Sequence, residues 1–336
     1  MKLKVGLIGA GGFGYLHLSG YKRNKNCEIT AVASRTEKSA RKAAEKFNIP
    51  RVYWGDGWRK MLELEKLDAL SICSPNYLHA QMIMEALKNN CNVLCEKPIA
   101  ISQKELIEIE KEMRSKELIF FSSFQKRYIP FISRIKEMIK NNVLGEINLV
   151  RHFFSHYGPY TSWRPLSEQK WFFDADKAGG GVLMDLGVHS IDILRYLIGE
   201  YDRVEGYSHN TTCKKIIKED NCNVMFRFNN GVLGTIMISW CNEPLDIIEL
   251  FGTKGMLKLD LQSKEPLSYR PKKLRRNPAI KEFLEGEHSM KIMPQHLLIN
   301  HFIDCVLKGR QENPDFNDGK RAVEFVLEAY SKSNSD

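Results

Sequence analysis

An apolar stretch at residues 3–8, Leu-Lys-Val-Gly-Leu-Ile, runs directly into Gly9-Ala-Gly11-Gly-Phe-Gly14. No other part of the chain limits the fold as sharply. The apolar stretch reads as a strand, and the residues after the glycines keep helical spacing. Gly9 then permits a turn that a Cβ would block. Gly11 lets a ligand approach the backbone, and Gly14 lets the helix pack close to the strand. Gly12 and Phe13 open that helix, whose free amides and positive end attract an anion such as a pyrophosphate. Glycines also mark ordinary turns. The strand before them, the helix after them and a second strand at the right distance favour a dinucleotide cradle over a structural turn.

The first 122 residues repeat this alternation. Strands are expected over 4–8, 28–33, 52–54, 69–73, 92–95 and 119–122, with helices over 12–24, 36–47, 58–64, 79–88 and 102–116. Such alternation predicts a parallel sheet covered on both faces, and right-handed crossovers make it doubly wound. After residue 123 the pattern changes. A helix over 130–141 is followed by strand-like runs at 147–156, 203–210, 221–228, 232–240, 247–251 and 256–261. Asn229-Asn230-Gly231 and Gly252-Thr253-Lys254-Gly255 read as hairpin turns between neighbours. Further helices are expected near 181–198, 294–308 and 318–333. The fold class is therefore α/β. A doubly wound domain spans 1–122, and an α+β domain with a large open, mostly antiparallel sheet spans 123–336. An open sheet leaves a face to be covered, which suits an interface with further copies of the chain.

A formal net charge of +9 over 336 residues raises nucleic acid as a partner. The basic residues, however, are interleaved with acids. The dense cluster Arg270-Pro-Lys272-Lys273-Leu-Arg275-Arg276 reads as a solvated loop. No nucleic-acid partner is expected, and the positive balance suits an anionic cofactor or substrate. No apolar run reaches transmembrane length, and the short run at 5–8 dissolves into glycines too early for a secretory signal. No membrane partner is expected. The eight cysteines contain no Cys-x-x-Cys pair and read as free, largely buried thiols of a reducing cytoplasm.

Three strand ends and one helix carry the polar residues of interest. The second strand ends at Ser34-Arg35, where NAD-selective folds usually carry an acid about twenty residues beyond the last glycine. A hydroxyl and a guanidinium suit the extra phosphate of NADP, so NADP is favoured, with NAD the alternative. Two further strand ends, Ser74-Pro75-Asn76-x-x-His79 and Glu96-Lys97-Pro98, fall at the crevice where doubly wound folds bind ligands. Proline ends the ladder there, by a cis or trans bond, and leaves Lys97 to project into the cleft. Farther on, Gly179-Gly180-Gly181 precede Asp185, His189 and Asp192. Asp185 and His189 are four apart and share a helix face, while the glycines would let backbone approach a ligand. A structural Asp–His pair is the plainer alternative. No third residue stands at a metal-ligand spacing, so no metal is expected. His152, His156, Tyr157, Tyr160, Trp163, Arg164 and Trp171 offer rings and a guanidinium for a sugar, or else fill a core.

Taken in order, the glycine turn with His17, Ser74-Pro75-Asn76-x-x-His79, Glu96-Lys97-Pro98, Arg127-x-x-Pro130, the glycines leading to Asp185, His189 and Asp192, and Gly252-Thr-Lys-Gly255 resemble one family. It is the glucose–fructose oxidoreductase / inositol dehydrogenase (Gfo/Idh/MocA) family, and the resemblance runs nearly the whole chain. It implies an N-terminal Rossmann domain and a C-terminal domain whose open sheet packs against another subunit, as a homodimer or homotetramer. It also implies NAD(P)-dependent oxidoreduction of a sugar, cyclitol or related polyol. Lys97, Asp185 and His189 fall on the family's catalytic positions. Gly9, Gly11, Gly12, Phe13, Gly14, Ser34, Arg35, Ser74, Pro75, Asn76, His79, Glu96 and Lys97 are the expected cofactor contacts. Lys97, Arg127, Tyr157, Trp163, Arg164, Asp185, His189 and Asp192 are the expected substrate contacts. The segment that commonly reads Asn-Arg-Arg is here Gln125-Lys126-Arg127. Two other activities stay open: cleavage of glycosides with transient use of NAD, and a nonenzymatic dinucleotide sensor.

Overall fold

The computed structural model describes residues 2–161, 170–212, 218–272 and 292–332. The chain forms two units: Met1–Gln125 with Ile292–Val323, and Lys126–Lys291 with Glu324–Asp336.

In the first unit, β1 (Leu3–Ile8), β2 (Cys27–Ser34), β3 (Arg51–Trp54), β4 (Ala69–Ile72), β5 (Asn92–Cys95) and β6 (Phe120–Ser122) make a six-stranded sheet. Every pair is parallel, and the order is β3-β2-β1-β4-β5-β6. The order reverses between β1 and β4, which opens a crevice at their carboxyl ends. Central strands such as β4 are buried at every residue, as a sheet covered on both faces requires. The connecting helices are α1 (Gly12–Arg23), α2 (Glu37–Phe47), α3 (Trp58–Glu65), α4 (His79–Lys88) and α5 (Gln103–Met113). Thr36 accepts a hydrogen bond from the Ser39 amide and starts α2, and Ser102 does the same for α5 through Glu105. Leu7, Leu18, Val32, Ala43 and Phe47 fill the core between α1, α2 and the sheet.

The second unit begins with α6 (Pro130–Lys140) and β7 (Ile147–Ser155). The next long helix is α7 (Val188–Ile198), followed by β8 (Tyr201–Asn210), β9 (Asn221–Phe228), β10 (Leu233–Ser239), β11 (Leu245–Gly252), β12 (Gly255–Asp260) and β13 (Leu267–Pro271). The seven strands lie in the order β13-β12-β11-β7-β10-β9-β8. Only β7 and β10 pair in parallel; the other neighbours are antiparallel. Both expected hairpins form, β9 to β10 and β11 to β12. One sheet face packs on aromatic rings, with Phe226 and Tyr201 edge-on to Phe325 at 5.0 and 5.1 Å. On the other, Leu149, Met225, Leu233 and Met237 are between 39 and 53% exposed.

Three sequence expectations change. Residues 292–323, assigned to the second domain, group with the first unit. They hold α8 (Pro294–Lys308) and the start of α9 (Phe316–Lys332). Leu298, Ile299, Phe302 and Ile303 of α8 are fully buried, and a Cβ on Gly20 of α1 would lie only 2.4 Å from Ile299 Cδ1. The following loop also closes the β6 edge, since Gln311 exchanges hydrogen bonds of 2.8 and 3.0 Å with the Phe120 backbone. An amphipathic helix announces that it needs a partner without saying which. Second, Arg270 and Pro271 end an edge strand, where a proline and exposed cations are tolerated, rather than starting a loop. Third, the helix expected over 181–198 opens with a π-helical turn, Leu183–Gly187, before α7. Among the described residues, no helix is long and apolar enough to cross a membrane.

Phe302 tests the reassignment of α8. Its ring packs 5.5 Å from Phe121. Phe302→Ala is expected to lower the unfolding free energy by about 3–5 kcal/mol in chemical denaturation. A change below about 1 kcal/mol would mean that α8 is not part of this core.

Candidate active site

The glycine turn divides into two kinds of position. Gly9 has φ +98°, and a Cβ on it would sit 2.3 Å from the Cys73 carbonyl oxygen. A Cβ on Gly14 would sit 2.1 Å from the Gly9 carbonyl oxygen. The chain's own backbone therefore demands both. At Gly11 and Gly12 a Cβ would meet nothing within 4 Å. That open space lies at the start of α1, where no side chain caps the helix. Nearby, Ser74 Oγ is buried with no partner among the described residues. A dinucleotide fits these features: phosphates against Gly11, Gly12 and Phe13 on the α1 amides, and a polar group available to Ser74.

At the end of β2, Ser34 Oγ accepts from Ser39 Oγ at 2.8 Å, and Arg35 is exposed. The nearest acid in sequence, Glu37, is held by Arg41 at 2.7 Å. The other two strand ends are braced internally. His79 is buried, with Nδ1 2.7 Å from the Pro98 carbonyl and Nε2 2.8 Å from the Ser74 carbonyl. Its ring ties the Ser74-Pro75-Asn76 turn to the Lys97–Pro98 turn, whose peptide bond is cis. Burial lowers the His79 pKa, against the pull of those two carbonyls.

Glu96 also turns inward. Its Oε1 lies 3.0 Å from His17 Nε2 and accepts from Ser123 Oγ at 2.8 Å. His17 Nδ1 lies 2.9 Å from Ser71 Oγ, which Tyr21 reaches at 2.6 Å, and Gln295 Nε2 approaches His17 Nε2 at 2.8 Å. Burial pushes the Glu96 carboxyl up, but His17, Ser123 and the Lys97 charge outweigh it and hold it below its ordinary value. His79 and Glu96 were expected to touch cofactor; the structure buries both and engages their side chains with protein groups. Lys97, half-buried, follows in the turn beyond β5.

In the second unit Asp185, His189 and Asp192 are all buried on the π-turn and α7. Asp185 Oδ2 accepts from the Trp240 indole nitrogen at 3.2 Å. Asp192 takes a two-pronged bond from Arg127, Nε to Oδ2 at 3.0 Å and Nη2 to Oδ1 at 2.5 Å. Two expected substrate contacts are thus engaged with each other, and they anchor α7 to the segment after β6. The glycines before the helix were expected to admit a ligand, yet a Cβ on Gly180 would lie 2.1 Å from the Tyr330 hydroxyl, and one on Gly181 2.1 Å from the Glu219 carbonyl oxygen. Protein atoms fill that space. Tyr157 binds the Glu243 carboxylate through its hydroxyl. Trp163 and Arg164 lie outside the described residues. His152 is a core residue, its Nε2 3.0 Å from Asp246 Oδ1, while Lys126 reaches Asp246 Oδ2 at 2.6 Å. Trp240, Glu219 and Tyr330 escaped the sequence reading. The one signal was a tryptophan closing a strand, since a buried indole N–H needs an acceptor.

Among the described residues, His301, Cys305 and Glu312 gather three ligand-type atoms within 4.8 Å of one another. Glu312 is already bound by His301 at 3.0 Å and by Arg310. The group reads as an ion-pair network.

The first unit's glycine turn fits a dinucleotide, and the sequence matches the model of an NAD-binding oxidoreductase family together with that family's C-terminal domain. Residues 3–124 match "Oxidoreductase family, NAD-binding Rossmann fold", and residues 132–258 match "GFO/IDH/MocA C-terminal domain". The chain belongs to the GFO/IDH/MocA family. It is 28% identical to the glucose-6-phosphate 3-dehydrogenase of Bacillus subtilis strain 168 over 363 aligned residues, 99% of this chain and 97% of the relative. It is 25% identical to the myo-inositol 2-dehydrogenase of Thermotoga maritima, over 77% of this chain and 75% of the relative. A levoglucosan dehydrogenase solved in complex with NADH and levoglucosan shares the fold with a TM-score of 0.87 at 23% identity, over 99% of this chain and 97% of that one.

Removing Arg127 leaves a buried carboxylate uncompensated, so Arg127→Ala is expected to cost about 3–5 kcal/mol in denaturant unfolding. Asp246 tests acid sensitivity. Burial works to raise its carboxyl, and Lys126 with His152 outweighs that and holds it well below the usual 3.8. A depressed folded value stabilises the protein above the unfolded value and is lost as pH falls towards the folded one. Between about pH 5 and pH 2, Asp246→Asn is therefore expected to flatten the fall in Tm. An acid limb as steep as the wild type's would assign that sensitivity elsewhere.

Proposed function

We propose that this chain is an NAD(P)-dependent dehydrogenase or reductase that moves a hydride between nicotinamide and a secondary hydroxyl or ketone of a sugar, cyclitol or related polyol. The observation that carries most weight is the buried Asp185–His189 pair in a chain whose other unit leaves Gly11 and Gly12 open for phosphates. The names of the relatives above support a polyol substrate.

Bound nicotinamide supplies the hydride chemistry. In oxidation His189 takes the hydroxyl proton, and in reduction it returns it; an imidazole, with an unperturbed pKa of about 6.5, suits both directions. Lys97 donates to the substrate oxygen and offsets the charge of a developing alkoxide. Asp185, fixed by Trp240, orients the imidazole or the substrate. Arg127 and Asp192 keep the helix in place as a pair.

The proposal extends to NADP over NAD. Ser34 and Arg35 stand where NAD-selective folds hold an acid, and the nearest acid in sequence, Glu37, faces solvent in an ion pair with Arg41. It also extends to a homodimer or homotetramer through the open sheet face, supported by the exposed Leu149, Met225, Leu233 and Met237. A reducing, cytoplasmic setting suits the seven described cysteines, all free thiols, whose pKa values burial pushes up as at Cys27 and Cys91.

Turnover of cyclitols, aldoses, keto sugars and amino sugars with both cofactors tests the reading. Net consumption of NADP(H) is expected, which neither a transient NAD user nor a sensor would show. His189→Ala is expected to bind NADP(H) normally and to lose kcat by about 10² or more; wild-type turnover in that variant would reject His189 as the base. Arg35→Asp is expected to swing the kcat/KM preference towards NAD, and an unchanged ratio would reject the reading of the β2 end.

A further inference from the structure

The helix that carries Asp185 and His189 starts without a local cap. Val182 precedes the π-turn and has no side-chain acceptor to offer. Helix-opening amides need acceptors from elsewhere when they are buried. Here three successive amides find them on two residues far away in sequence. The Gly181 amide donates to the Tyr330 hydroxyl at 3.2 Å. The Val182 amide donates to the Glu219 carbonyl oxygen at 3.0 Å. The Leu183 amide donates to Glu219 Oε1 at 3.0 Å. Tyr330 in turn donates its hydroxyl proton to the same Oε1 at 2.9 Å, so the two capping side chains are coupled. A carboxylate at a helix N-terminus also meets the positive end of the helix dipole. Gly180 and Gly181 have no room for a Cβ because Tyr330 and Glu219 press directly on the backbone.

We propose that Glu219 and Tyr330 form a remote cap that positions the Asp185–His189 helix for catalysis, an inference that rests on the roles given to those two residues above. The reason a cap matters here is the π-turn. Such turns are less favourable than α-helix and concentrate at functional sites. Slipping this one into α register would rotate every residue beyond it by about 100° around the helix axis, which would re-aim His189. Holding the amides of 181–183 fixes where the turn begins. Both residues are positioning residues, acting on the reaction only through the helix.

The test uses the full-length protein with Glu219→Ala, Glu219→Gln and Tyr330→Phe. Three readouts are needed: kcat on a substrate from the sugar panel, NADP(H) affinity, and amide hydrogen exchange at 181–183. Glu219→Ala and Tyr330→Phe are expected to lower kcat by about tenfold or more, as misplacement of a catalytic group does, with NADP(H) affinity within about twofold of wild type. Glu219→Gln keeps an acceptor oxygen and is expected to hold kcat within about threefold and exchange near wild type. If Glu219→Ala does not fold, the two milder variants still decide the matter. Unchanged exchange in Tyr330→Phe and Glu219→Ala would overturn the cap. Faster exchange with undiminished kcat would overturn the positioning role and leave the proposed activity standing. A wild-type protein inactive on the whole panel would overturn the roles of Asp185 and His189, and the positioning role with them, while exchange still reports on the cap.

Discussion

The crossing of backbone at Gly9 governs the first unit. The chain leaving β1 passes so close to the end of β4 that a Cβ would fall 2.3 Å from the Cys73 carbonyl oxygen, and it then returns as α1 close enough for a Cβ on Gly14 to strike Gly9. Two glycines thus seat α1 tightly over the end of β1. With β1 and β4 as neighbours at the switch point, the start of α1 faces the crevice and leaves Gly11 and Gly12 uncovered. The phosphate cradle is what remains once the backbone has satisfied its own contacts.

Buried charge has a structural job in both units. Glu96 with His17, Asp192 with Arg127, and Asp246 with Lys126 and His152 each join segments distant in sequence. Compared with apolar packing, such pairs add little stability, yet losing one partner is costly because the other stays buried. They hold Lys97 next to Glu96, and His189 three residues before Asp192, on backbones with little freedom to shift. His79 works in the same way without a formal partner charge, bridging two turns through their carbonyl oxygens.

What was legible in the sequence follows from range. Gly9 and Gly14 answer local demands of a strand–turn–helix, so spacing alone reveals them. The strand end at Glu96-Lys97-Pro98 was legible as a crevice position, but the inward bonding of Glu96 to His17 and Ser123 was not, because those partners are distant in sequence. Arg127 and Asp192 are 65 residues apart, and Gly181 and Tyr330 are 149 apart. No periodicity encodes such meetings, so Gly179, Gly180 and Gly181, with Arg127 and Asp192, were read as facing a ligand. The same limit hid the allegiance of α8, whose apolar stripe suits either unit. β13 was hidden for a different reason: an edge strand ending in Arg-Pro carries the composition of a loop.

The two units therefore hold their ligand-facing chemistry by different means. In the first, open backbone and helix amides make the cradle, so it depends on glycines and on a sheet order that many sequences can supply. In the second, the helix bearing Asp185 and His189 is held by side chains contributed from the residue after β10, from the segment before β9 and from α9. A backbone cradle binds what all dinucleotides share. One fold can host different substrates through differences at its site, and relatives of this chain carry names as different as myo-inositol 2-dehydrogenase and glucose-6-phosphate 3-dehydrogenase. On the proposed reading, phosphate binding rests on backbone and the choice between NADP and NAD on the Ser34 and Arg35 side chains, while the cap at Glu219 and Tyr330 holds the register of α7.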